Sequence, residues 1–301
     1  MTRRALIGVV TMLVFVMGIA YAVRIAAVDG SRLLFDSAWW MVFATPFVGM
    51  LAAAFTKRRD PRVEGSRVLR HDDAAIVEHW THGVGTAVLL GSGIALGFLF
   101  VPRLISEQAP VWGAMNIHFV AAIIFLFGTF YYAANTLLAQ HRFAEHLPTK
   151  NAFTFTVQHY GHLLGVKTCH MPPEDKYFES EKMAYIMALV GSVLIIITGL
   201  LKALAHVVDV PGAVMGPANL VHDLASIVML AFFLAHVFFA AILPASWPVL
   251  GSMFTGYVSA EQVKKEHAGW YRRLTATSTR DCDGDDSSEA AKVHVTQLRN
   301  S

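Results

Sequence analysis

Six apolar stretches constrain this chain more than any other feature. They run over Ala5–Val23, Ala38–Phe55, Ile76–Phe100, Trp112–Leu138, Met183–Ala205 and Ala218–Leu243. A helix needs about 20 predominantly apolar residues to cross the hydrocarbon core of a bilayer, and these stretches approach or exceed that length. Only 15% of the residues are charged and 55% are hydrophobic, whereas a soluble domain carries about 25% charged residues. The expected class is therefore an all-α integral membrane protein in contact with lipid.

Charge placement gives an orientation. All but four of the 24 basic residues fall before the first stretch, between the second and third, between the fourth and fifth, or after the sixth. The run Lys57, Arg58, Arg59, Arg62, Arg67 and Arg70 is the densest block. The other side holds only Arg24, Arg32, Arg103 and Lys202. By the positive-inside rule the basic side is cytoplasmic. The expectation is a multi-pass protein of the cytoplasmic (inner) membrane, with both termini inside if the first stretch is retained. Arg3-Arg4, the apolar core after it and the small residues around Ala20–Ala27 also fit a cleaved signal peptide. The later topology is the same either way.

Between about Ala139 and Lys182 the prolines Pro148, Pro172 and Pro173 argue against one continuous helix, and short helices at the membrane surface are expected. Beyond Leu274 the chain is rich in Ser, Thr and Asp, a composition that favours disorder. The resulting division is an N-terminal extension of two apolar stretches over 1–69, a core over 70–274 and a polar tail over 275–301.

Four histidines lie in or at the edges of the apolar stretches: His79, His118, His222 and His236. Ionisable or polar residues there are costly and usually functional. His222 and His236 are fourteen residues apart on one stretch, about 21 Å along a helix and nearly on the same face. His79 opens its stretch from the cytoplasmic side and His118 opens the next from the outer side. Depth then pairs His79 with His236 and His118 with His222. This set suits two haem b groups stacked across the bilayer, each iron held by two imidazoles. Such ligation leaves no open iron position, which favours electron transfer. Neither Cys169 nor Cys282 lies in a C-x-x-C-H pattern, so coordination alone would hold the haem.

Neighbouring residues fit the same picture. Gly83, Gly85, Gly91 and Gly93 would let a flat macrocycle approach a helix backbone, although glycines also serve ordinary helix packing in membranes. Asp223 reads as a helix-start carboxylate, as an acceptor for a neighbouring group or as a contact for an iron–sulfur partner. His82, one turn from His79, is a rival ligand or a proton carrier. The loop histidines His141, His146, His159, His162 and His170 read as solvated residues.

The histidine set and the helix order resemble the gamma subunit of membrane-bound formate dehydrogenase, a dihaem cytochrome b with a four-helix core. The likeness covers about Arg70 to Arg273. It rests on His79-Trp80, Asn116-Ile117-His118, Val221-His222-Asp223 and His236-Val237-Phe238. In the tail it rests on Gly251-Ser252, Gly256-Tyr257-Val258, Lys264-Lys265 and His267-Ala268-Gly269-Trp270-Tyr271. Where the family carries Lys-Tyr/Phe-Asn-x-Gly-Gln-Lys, this chain reads Lys176-Tyr177-Phe178-Glu179-Ser180-Glu181-Lys182. The Asn, Gly and Gln are replaced. Family members often place an Arg a few residues before the His-Trp pair, and Arg70 is the nearest basic residue here.

The resemblance implies a four-helix dihaem bundle preceded by two additional apolar helices. An iron–sulfur subunit, fed by a molybdenum or tungsten dehydrogenase subunit, would pass electrons to an outer haem on His118 and His222. An inner haem on His79 and His236 would then reduce a quinone, menaquinone or ubiquinone, with cytoplasmic protons. His82, Lys176, Tyr177, Glu181 and Lys182 are the candidates for quinone or proton handling. No dehydrogenase site is recognisable in the chain, and no nucleic-acid partner is expected. An equivalent anchor in a hydrogenase or thiosulfate reductase complex is the nearest alternative. A proton-coupled transporter using histidine relays is the alternative of another class, and it would place its site at the bilayer midplane between broken helices.

Overall fold

The structure is a computed structural model that describes residues 3–28, 32–56, 58–138, 141–166 and 174–276. The Cys169 and His170 positions and nearly all of the polar tail lie outside the described residues. Helix α1 (Arg3–Val28) is followed by the single turn α2 (Leu34–Ser37) and by α3 (Trp40–Phe55). Two short strands, β1 (Arg62–Glu64) and β2 (Arg67–Leu69), precede α4 (Asp73–Leu96) and α5 (Gln108–Leu138). The prolines of the following loop divide it as expected, into α6 (His141–Glu145) and α7 (Ala152–Leu163). Then come α8 (Glu179–Leu204) and α9 (Gly212–Val237), which runs on as a π-helical turn over Phe238–Ile242. A 3-10 turn (Pro244–Ser246), α10 (Trp247–Thr255), β3 (Tyr257–Ser259) and α11 (Ala260–Glu266) complete the order, and residues 268–276 are again helical.

Among the described residues, three helices are long and apolar enough to cross a membrane: Gln108–Thr136, Glu179–Leu204 and Gly212–Ile242. Val10–Ala26 and Trp40–Phe55 are shorter apolar helices. Helix α4 has 24 residues, about 36 Å of rise. Its apolar run is interrupted by Glu78, His79, Thr81, His82, Thr86 and Ser92, which keeps it out of the strongly apolar set.

Local chemistry sets the helix ends. The Asp72 carboxylate caps α4 by accepting the Ala75 N–H at 3.0 Å. At the other end Gly97 has φ +79°, and a Cβ there would lie 2.7 Å from the Arg103 nitrogen. The helix therefore stops at Leu96, four residues before the expected end at Phe100, and a tight bridge between Phe98 and Val101 follows. Helix α9 starts at Gly212 rather than Ala218. Pro217 lies inside it, near enough to the start that the helix continues through it.

Helix α5 is the central post. A methyl group at Gly49 of α3 would lie 2.6 Å from the Phe127 carbonyl oxygen. One at Gly85 of α4 would lie 2.8 Å from the Phe125 nitrogen, and one at Gly128 of α5 would lie 2.6 Å from Thr81 Oγ1. Backbone-to-backbone approach of this kind is how membrane helices gain packing where water supplies no driving force. The N-terminal helices close the far side of α5: Ala22, Leu34, Phe35, Met41 and Val42 share a core with Phe119, Ile123 and Leu126, and with Ala203 of α8.

One element departs from the all-α expectation. Strands β1, β2 and β3 form an antiparallel sheet in that order, with Arg62 opposite Leu69 and Arg67 opposite Ser259. The Gly-Tyr-Val of the tail thus pairs with the segment just before α4. Gly256, in the left-handed region, lets its carbonyl accept from Arg70 N at 2.8 Å. Val68, Val258, Ala260, Val263 and Trp270 bury against one another beneath the sheet. We call this the sheet end of the molecule.

Candidate haem and electron-transfer site

Two pairs of imidazoles lie near one another across the bundle, one towards each end. At the sheet end the rings of His79 on α4 and His236 on α9 have centroids 6.3 Å apart, with planes inclined at 56°. An atom bonded to one nitrogen of each ring at about 2 Å separates the ring centres by roughly 6–6.5 Å. The spacing therefore leaves room for one metal between them. Trp80 donates its indole N–H to the Met253 carbonyl at 2.8 Å and so ties this part of α4 to α10. Phe232 stacks on His236, and the π-helical turn begins two residues later. Such turns recur at functional sites.

Towards the opposite end, His118 on α5 and His222 on α9 lie close enough to interact electrostatically. Ser92 Oγ is 2.9 Å from His118 Nδ1, and Thr198 Oγ1 is 2.9 Å from His222 Nδ1. A Cβ at Gly199 would come within 3.4 Å of the His222 ring, so the glycine clears space beside it. On α4, Ser92 is thirteen residues from His79, about 20 Å of rise. This nearly equals the rise from His222 to His236 on α9, so the two pairs share the same vertical spacing on both helices.

The glycines divide by role. Gly85 makes the backbone contact with α5, whereas a Cβ at Gly83, Gly91 or Gly93 would meet nothing within 4 Å. Gly83 and Gly93 sit roughly 40° to either side of the His79 face of α4, where a flat ring could lie. His82 does not face His236. Its Nε2 lies 3.2 Å from Ser192 Oγ on α8, and its ring packs on Phe125 with centroids 4.5 Å apart. Asp223 is not at a helix start, because α9 begins eleven residues earlier. Its carboxylate accepts the Leu99 N–H at 3.1 Å and holds the turn after α4.

At the sheet end, three of the loop candidates converge and one does not. Glu181 accepts two bonds from the fully buried Arg70 guanidinium, at 2.9 and 3.1 Å, and one from the Phe178 N–H. Lys176 pairs with Glu145 at 2.9 Å and lies over the Tyr177 ring. Tyr177 stacks on His146, with His71 and Arg70 beside it. Lys182 instead pairs with Glu179 at 2.7 Å, and Glu179 also accepts the Thr149 N–H.

Arg70, His71, Tyr132, His146, Lys176 and Tyr177 are among the residues around a polar recess of about 20 Å³, room for a water molecule but not for a ring. His71 Nε2 and Arg70 Nε are buried there without a partner. Burial, with Arg70 and Lys176 nearby, holds the His71 imidazole well below its ordinary pKa. Burial raises the Tyr177 phenol. Lys176 is raised despite its burial, because Tyr177 and Glu145 favour its charged form.

Sequence reasoning named Arg70 and His267 only as motif positions and missed His71, Ser92, Thr198 and Ser192. The last three carried a usable signal, since each is a hydroxyl inside an apolar helix. Two of the loop histidines differ from expectation, while His162 is exposed as expected. His159 is buried and bonds Ser180 Oγ at 3.0 Å, and His146 stacks on Tyr177. Among the described residues, no three His, Cys, Asp or Glu side chains gather as a metal site.

A mostly helical protein with spanning helices and imidazoles facing in pairs is a membrane cytochrome of the b type. The family comparison agrees: the prokaryotic cytochrome b561 profile matches residues 70–256. That is more than half of the chain and includes all four histidines. The protein belongs to the prokaryotic cytochrome b561 family, whose members bind haem b and work in electron transfer. A search of curated proteins returned no match.

The residues present fit haem b. The His79–His236 spacing admits an iron, and the other pair presents ring nitrogens not engaged by Ser92 or Thr198.

Proposed function

We propose that the protein is the dihaem membrane subunit of a formate dehydrogenase complex, with α4, α5, α8 and α9 as its four-helix core. It would carry electrons from an iron–sulfur subunit, itself served by a molybdenum or tungsten dehydrogenase subunit, to menaquinone or ubiquinone. The observation that carries this reading is the pair of imidazole pairs, which share α9 and are set towards its opposite ends.

His79 and His236 would hold one haem, and His118 and His222 the other. Haem b supplies an iron that accepts and releases one electron at a time. The chain's own part is to fix the four imidazoles, to exclude water with apolar helices and to keep the two sites about 20 Å apart. The excess of basic residues supports a cytoplasmic sheet end. There the recess beside Arg70, His71, Lys176 and Tyr177 is the proton-handling region, and the quinone ring would approach from the lipid side of the same haem. Glu181 anchors Arg70 in this arrangement. His82 and Lys182, each engaged elsewhere, do not line the recess.

The test is purification of the complex from its native membrane, with haem counted per chain and the accompanying subunits identified. Two b haems per chain, reducible by formate and reoxidised by a quinone analogue, is the expected result. A single haem, or none, would overturn the dihaem reading. Two haems with a hydrogenase or a thiosulfate reductase as the accompanying enzyme would instead select the alternative partner.

A further inference from the structure

Several helix hydroxyls in this protein bond back to a carbonyl one turn earlier, as Ser and Thr do in membrane helices. Thr45, Thr86 and Thr129 are of this kind. Two of them also face a histidine of the opposite-end pair. Ser92 Oγ donates to the Val88 carbonyl at 2.7 Å, with Leu89 O at 3.1 Å. Thr198 Oγ1 donates to the Leu194 carbonyl at 2.7 Å, with Ile195 O at 3.3 Å.

A hydroxyl has one proton. Once that proton is committed to the carbonyl, the oxygen facing the ring is an acceptor. His118 Nδ1 and His222 Nδ1, each at 2.9 Å, must then be the protonated nitrogens. Both rings are thereby held in the tautomer that leaves Nε2 bare. Among the described residues, no such hydroxyl meets His79 or His236. His82, whose Nε2 rather than Nδ1 faces a serine, shows the contrary arrangement.

We propose that Ser92 and Thr198 are a matched pair of positioning residues that fix the tautomer of His118 and His222 and lower the potential of the haem those rings hold. The proposal rests on the reading of His118 and His222 as axial ligands. The physics is that of an outer-shell acceptor. A hydrogen bond taken from the far N–H of a metal-bound imidazole fixes ring orientation and makes the ligand more basic. A more basic ligand favours the ferric state. Thr198 and Ser92 reach the two rings from different helices, α8 and α4, so the effect comes from both faces of one site. It leaves the sheet-end site, without these acceptors, at the higher potential of the two.

The test uses the full chain with both haems in detergent or nanodiscs. Ser92→Ala and Thr198→Val each remove one acceptor with little change of volume, and optically monitored redox titrations report each haem. The expected result is full haem content, an upward shift of one haem's midpoint potential, no shift of the other, and an altered low-spin EPR signal for the haem that moved. Ser92→Thr and Thr198→Ser, which keep the hydroxyl, should restore both.

Unchanged potentials at full haem content would overturn the proposal. So would haem loss that the hydroxyl-retaining variants fail to rescue, since that marks a packing role. His118→Ala separates the two levels of the argument. If it leaves both haems bound, the ligand reading itself has failed. If it removes one while Ser92→Ala moves nothing, only the positioning role has failed.

Discussion

The two imidazole pairs share one helix, α9, and differ in their surroundings. His118 and His222 are braced by two helix hydroxyls, and the Lys202 charge is close enough to act on both. His79 and His236 touch aromatic rings instead, and the charged assembly around Arg70 lies towards the same end. In the proposed relay the first environment would orient a site that has only to pass electrons. The second leaves its rings unbraced but lies near buried ionisable groups, which suits an end where electron transfer is coupled to protons. One bundle thus specialises its ends through their neighbours, with the same residue type at the centre of each.

The most severe way to break this comparison is to remove one ring from each end. His236→Ala and His222→Ala should each lose one haem and keep the other, so that haem content falls by about half in either variant and by nearly all in the double. A pyridine haemochrome assay reads this directly. Loss of both haems from a single substitution would mean that the ends do not fold independently.

The next effect belongs to the sheet end alone. Arg70 is fully buried, bonds Glu181 twice, lies 3.4 Å from His267 Nε2 and receives the Gly256 carbonyl on its backbone N–H. Arg70→Ala should cost about 2–3 kcal/mol, the scale of charge-assisted hydrogen bonds lost from a buried group. Thermal unfolding should register the loss, while the Ser92 site keeps its spectrum.

The smallest effect is a pH dependence. His267 is buried against Arg70, and burial with that neighbouring charge holds its imidazole at about 4, whereas the unfolded value is about 6.5. A base depressed in the folded state contributes stability that is present above pH 6.5 and lost as pH falls from there towards 4. Glu174 opposes it. Burial raises its carboxyl to about 7, so its contribution is present below the unfolded value and declines as pH rises through 7. The difference between the native chain and His267→Gln isolates the histidine. It should amount to about 1 kcal/mol between pH 7.5 and 5.5, read as hydrogen exchange of residues 257–266 after correction for intrinsic rates. No difference would place the titrating group elsewhere.

Much of the fold was legible because membrane constraints are local. The apolar runs, the proline-divided loop and the four histidines are properties of short windows. The helix ends were less legible. Gly97 stops α4 early because a positive φ and the approach of Arg103 leave no room for a side chain, and neither can be read from hydropathy. The glycines of α4 looked equivalent in sequence, yet only Gly85 carries the contact with α5 while Gly83 and Gly93 face open space. Of the loop motif, Lys176, Tyr177 and Glu181 gather around Arg70, whereas Lys182 is taken by an i, i+3 pair with Glu179.

The amino-acid order by itself determined that this chain enters a membrane, which stretches become helices and where imidazoles recur at a spacing near 21 Å, because length, hydropathy and the helical repeat act over a few turns. Only the tertiary structure decided how closely His79 and His236 approach, that hydroxyls from other helices meet His118 and His222, and that the tail returns to pair with β2 and enclose Arg70. Those are contacts between residues up to about 200 positions apart, and they exist only once the helices have packed.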